Sequence, residues 1–113
     1  MNSNSYGDSP LVQRLIDEFS RLPGIGPKTA QRLTYYLIKM PNEQSESLSE
    51  AIVSMKRNIV LCRQCFHITD QELCDVCTDP TRDQDTLCVV EQPLDVVAFE
   101  KTGTYAGRYH VLH

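Results

Sequence analysis

The sequence predicts an α+β chain of three modules: a helical unit over 1–61, a four-cysteine cluster over 62–85, and the first strand–helix–strand of an α/β domain over 86–113. Three observations predict it. Apolar residues recur at helical spacing through the first half. Two CxxC pairs then stand in a polar stretch, and a valine-rich run, a helical run and a second apolar run close the chain.

The helical unit opens at Asp8-Ser9-Pro10, a capping side chain followed by a proline suited to a first turn. Leu11, Val12, Leu15, Ile16, Phe19 and Leu22 give it one apolar face, and Pro23-Gly24 stop it. Pro27 opens a second helix with Ala30, Leu33, Leu37 and Met40 inward, ending at Pro41-Asn42. Ser47-Leu48-Ser49-Glu50 has the form of a capping box, which predicts a third helix with Leu48, Ile52, Met55 and Ile59 on one side. The first eight or so residues are polar and expected to fray.

Residues 62–85 have little periodicity and many polar turn residues. LCVVE, residues 87–91, reads as a buried strand; PLDVVAFEKTG reads as a helix with Gly103 near its end; YHVLH, residues 109–113, reads as a second strand. That order is a βαβ unit with parallel strands and a right-handed crossover. One such unit cannot close a sheet, so the expectation is a chain that stops inside its third module.

Composition narrows the function classes. The chain has 113 residues, 41% of them hydrophobic and 23% charged, as in a folded chain rather than a disordered one. It has no apolar run near the roughly 18–20 residues of a membrane span. The N-terminus lacks the features of a signal peptide. A reducing, cytoplasmic setting is the expectation, where five cysteines are metal ligands or buried thiols rather than disulfides. The net charge of −4 conceals an asymmetry: residues 1–61 carry seven Lys/Arg against six Asp/Glu, and residues 62–113 four against nine. Between Glu18 and Glu43 there is no acid, while Arg21, Lys28, Arg32 and Lys39 fall inside that window. Such a segment is either a local anion-facing surface or a solvated helix face.

The turn LPGIGPKTAQRL, residues 22–33, favours the first reading. Gly24 and Gly26 permit a tight link between helices, Ile25 fastens it to them, and Pro27 sets the entry of the next helix. Free amides around Gly24, Gly26, Lys28 and Thr29 then lie at a helix N-terminus that favours an anion, with Lys28 and Arg32 beside it at i and i+4. No side chain there is placed to read bases, so the expected contact is with sugar-phosphate, independent of sequence. An ordinary tight helical hairpin is the plainer alternative; the whole string resembles the helix-hairpin-helix motif of DNA-binding proteins.

Cys62 and Cys65, then Cys74 and Cys77, are two knuckles eight residues apart, a set that completes the tetrahedral thiolate shell of one structural Zn²⁺. Four thiolates leave no open position, and a loop this polar has little other core, so metal binding and folding are coupled. A dithiol redox pair, disulfides and an iron–sulfur cluster are the competing readings. His67 is a ligand by type, but is read as a neighbour of the site; Cys88 is read as a strand thiol. Glu91 ends a parallel strand, where α/β proteins place sites, and Asp95 follows it. Together they are an incomplete Mg²⁺ site, a partner-binding pair, or acids favoured at a helix start.

These modules in this order resemble the bacterial recombination mediator family RecR. The resemblance rests on LPGIGPKTAQRL, on the two CxxC pairs with CDVC and the following DPTRDQ, and on LCVVEQPLDVVAFEKTGTYAGRYHVLH, which looks like the opening of a Toprim domain with Glu91 at its glutamate. It implies a non-catalytic, cytoplasmic and nucleoid-associated DNA-repair protein, in which Lys28 and Arg32 serve binding to single-stranded, gapped or double-stranded DNA. It further implies RecO and RecF as partners, help in loading RecA, and a homo-oligomeric ring, dimeric or tetrameric, in the full-length form. The alternative is a fragment of a Toprim-type nuclease or primase, and a third reading is a pure interaction module whose basic face meets a protein's acids.

Overall fold

The structure is a computed structural model that describes residues 9–113; the expected fraying of the first eight residues lies outside them. Its elements in chain order are α1 (Pro10–Ser20), α2 (Pro27–Lys39), α3 (Asn42–Asn58), β1 (Val60–Leu61), β2 (Ile68–Thr69), α4 (Asp75–Thr78), β3 (Leu87–Val90), α5 (Pro93–Thr102) and β4 (Arg108–Val111). The described residues form two compact units, one ending at Ala51 and the other running from Ile52 to His113.

In the first unit, Ser9 caps α1 by accepting the Val12 amide, and Pro10 occupies the first turn as the sequence predicts. α1 and α2 pack together as a hairpin. Ile16 is buried from α1, and Ala30 and Thr34 from α2. Thr34 is a polar core residue that apolar periodicity cannot flag; its hydroxyl donates to the Ala30 carbonyl at 2.9 Å, which makes the burial tolerable. Leu33, expected to face inward, is 37% exposed beside it.

α3 departs from expectation in two ways. It starts at Asn42, where the Pro41 carbonyl accepts the amides of Gln44 and Ser45, so Ser47 to Glu50 lie inside the helix and not at a capping box. A box sequence caps only where the preceding backbone turns, and here Pro41 has already set the turn. Leu48, Ile52, Met55 and Ile59 remain solvent-exposed, and α3 buries no residue.

The second unit joins the cysteine knuckles to a βαβ element. β1 and β2 form a short antiparallel ladder, Val60 opposite Thr69 and Leu61 opposite Ile68, that the sequence did not announce. β3 and β4 pair in parallel, Leu87 with Arg108 through Val90 with Val111, with α5 as the crossover. Gly103 ends α5 at φ 68°. Val90, Val96, Tyr109 and Val111 make the core, with Val76, Cys88 and Tyr105 against it. LCVV is not buried on both sides: Leu87 and Val89 are more than half exposed, because α5 covers one face of a two-stranded sheet.

Candidate functional site

Two sites emerge, one in each unit. In the first, Gly24 adopts φ 81°, a left-handed angle that glycine takes without steric cost. Gly26 does not: its φ of −83° is open to any residue, and it serves as the N-cap of α2 with no side-chain cap. The turn therefore needs one glycine for its geometry, and the second leaves the helix start uncovered. A Cβ at either position would meet nothing within 4 Å.

Ile25 is half-buried, and its amide returns to the Leu22 carbonyl at 3.2 Å. Among the described residues, the amides of Gly24, Gly26, Lys28 and Thr29 have no hydrogen-bond partner. Lys28 and Arg32 are exposed and have no carboxylate within ion-pair distance among the described residues. Arg32 instead donates to the Thr29 hydroxyl at 3.3 Å, a neutral partner that leaves its charge uncompensated. Arg21, also in the acid-free window, is paired with Glu18 at 3.5 Å. The bend is thus an open N-terminal helix turn flanked by two cations without an acidic partner among the described residues, a locally positive surface.

In the second unit the sulfurs of Cys62, Cys65, Cys74 and Cys77 all lie within 4.8 Å of one another. Cys65 and Cys74 sulfurs are 3.6 Å apart. A tetrahedral Zn²⁺ with bonds of about 2.3 Å sets its sulfurs about 3.8 Å apart, so the donor set fits one such ion. Cys62, Cys65 and Cys74 are 0–4% exposed. The Cys74 amide donates to the Cys62 sulfur at 3.3 Å and the His67 amide to the Cys65 sulfur at 3.4 Å, contacts that steady thiolates. Burial alone would raise the Cys62 thiol, but amides of Cys65, Cys74 and Gln64 donate to it and bring it down to about 6. Burial pushes Cys65 up to about 11, and burial with the neighbouring sulfurs raises Cys77 further. Four thiolates this close repel one another, and a cation between them offsets that repulsion. His67 stays outside the sulfur cluster and contributes its backbone, and Cys88 belongs to the strand core.

The knuckles are fastened to the βαβ element. The Cys65 carbonyl accepts the Val111 amide at 2.8 Å, and the Phe66 carbonyl meets His113 Nε2 at 2.6 Å. Phe66 itself holds φ 66°, a costly angle for a ring-bearing residue, fixed by its amide on the Cys62 carbonyl. Arg82 forms a two-pronged ion pair with Glu100, one prong at 3.1 Å, and donates to the carbonyls of Tyr105 and Gly107. Tyr109 donates its hydroxyl to the same carboxylate. This cluster had no sequence signal beyond the string DPTRDQ.

Glu91 is exposed at the C-terminal end of β3. Asp95 sits one turn on, and its carboxylate accepts the Gln92 amide at 2.9 Å as the capping partner of α5.

Comparison with known proteins gives three matches along the chain. Residues 12–56 match the helix-hairpin-helix family of RecR, residues 59–79 the four-cysteine zinc finger domain of RecR, and residues 85–113 the Toprim domain. A recombination protein RecR of Chloroflexus aggregans is 59% identical over 102 residues, covering 90% of this chain and 50% of that protein. The RecR of Deinococcus radiodurans is 57% identical over 104 residues, 92% of this chain and 47% of its own. That of Roseiflexus castenholzii is 55% identical over 105 residues, 93% and 51%. The chain spans about half the length of the relatives it matches. Among the described residues, no helix is long and apolar enough to cross a membrane.

Proposed function

Because the chain belongs to the RecR family, with a RecR hairpin, a RecR four-cysteine zinc finger and Toprim residues in sequence, we propose that it is the DNA-gripping half of a non-catalytic recombinational repair adaptor. The hairpin holds sugar-phosphate without regard to base sequence. The metal centre braces the second unit, and the acidic βαβ segment, with Glu91 and Asp95 at its sheet edge, meets protein partners. In the full-length form the adaptor is a homo-oligomeric ring that acts with RecO and RecF to load RecA on gapped DNA.

One observation supports the reading above the rest: the exposed Gly24–Gly26 bend with unpartnered amides and two cations free of acids. A polyanion with regularly spaced phosphates is its natural complement. The enzymatic alternative finds less support. Asp95 accepts the Gln92 amide as the cap of α5, so its carboxylate is held at the helix start rather than paired with Glu91 around an ion.

The test is titration of a labelled DNA strand at several salt concentrations. Lys28→Ala and Arg32→Ala should each weaken binding alike on unrelated sequences, and each should lower the salt slope by about one. An unchanged slope in the double variant, with helicity intact, would sink the grip.

A further inference from the structure

The outer face of α2 carries more than the two cations of the bend. Ala30 and Thr34 are buried and Leu37 half-buried, which fixes the inward direction of the helix. At about 100° per residue, Lys28, Arg32, Tyr36 and Lys39 fall on the opposite side. Tyr36 is 66% exposed, more than Tyr35, Phe66 or Phe99, and its ring takes part in no aromatic pair among the described residues. It stands one turn beyond Arg32, about 6 Å further along the helix. No acid lies between Glu18 and Glu43 to compete for the cations.

A large flat ring set among cations is a poor surface for an apolar protein partner, since docking would strip water from Lys28, Arg32 and Lys39 without compensation. It suits a strand whose phosphates take the cations while an unpaired base lies on the ring. A duplex cannot supply that base, because its faces are already stacked inside the helix. We propose that Tyr36 is a base-stacking residue, and that the outer face of α2 binds single-stranded nucleic acid, continuing the phosphate grip of the bend. This deepens the proposed function and rests on it.

The experiment uses the zinc-loaded chain with two probes, an oligothymidine strand and a blunt duplex of equal length. Tyr36→Ala should weaken the single strand on the order of tenfold, leave the duplex within about twofold, and leave the salt slope unchanged, since no charge is removed. Tyr36→Phe should retain the affinity. The sequence has no tryptophan, so Tyr36→Trp adds a single reporter whose emission should be quenched by the strand and not by the duplex. Equal loss on both probes, no loss on either, or an unquenched reporter overturns the stacking role. If the unaltered chain shows no salt-dependent affinity for either probe, the phosphate grip falls with it. If it binds normally and only the Tyr36 variants are silent, the grip stands alone.

Discussion

Replacing Arg82 by alanine should be among the most damaging single changes in the second unit that touches neither a cysteine nor the valine core. The Arg82 side chain is 13% exposed and Glu100 32%. Removing the guanidinium takes two prongs from the Glu100 carboxylate and one donor each from the Tyr105 and Gly107 carbonyls. Breaking a fully buried pair costs about 3–5 kcal/mol, and each neutral hydrogen bond about 1 kcal/mol. Water can reach the partly exposed carboxylate once it is freed and recover part of that, so a net loss of about 3 kcal/mol is expected. Urea denaturation of the zinc-loaded chain measures it. The pH dependence gives a second reading. Hydrogen bonds from Arg82 hold the Glu100 carboxyl below its ordinary value, against burial and with help from Tyr109. A depressed carboxyl stabilises the fold above its ordinary range of about 4.3 and loses that contribution as pH falls through the folded value. The acid-side slope should therefore flatten in Arg82→Ala. A loss under about 0.5 kcal/mol with an unchanged acid limb would show the cluster to be an ordinary surface ion pair.

Two further outcomes follow from the same geometry. A strong chelator should abolish amide protection at residues 62–78 and at Val111, whose amide is held by the Cys65 carbonyl, while α1 and α2 keep theirs; hydrogen exchange that leaves Val111 protected in metal-free protein refutes the link. Gly24→Ala should cost about 1 kcal/mol for its left-handed angle, whereas Gly26→Ser should cost nothing or stabilise by supplying a cap, and thermal melts of the two separate their roles.

Much of this was legible in the chain because it is local. Pro10, Pro27 and Gly103 mark helix ends through backbone restrictions that act within a turn, and the CxxC spacing encodes a sulfur cluster directly. What escaped depends on distance or context. Arg82 and Glu100 are 18 residues apart with no shared periodicity. Thr34 is buried through a bond to its own helix backbone, which no hydropathy pattern reports. The exposure of Leu87 and Val89 depends on what covers the sheet, and a valine-rich run looks alike with one face covered or two. The capping box at Ser47 misled because its letters matched while the backbone before it was already helical.

Val76 touches both hydrophobic clusters of the second unit, the sulfur-centred one and the one under α5. For anyone wishing to transplant the finger into another protein, this means it is not a portable cassette. Excised at its cysteines, it would expose one side of Val76 and orphan the Cys65 carbonyl. A graft should carry the whole stretch through β4 or redesign those two positions for their new neighbours.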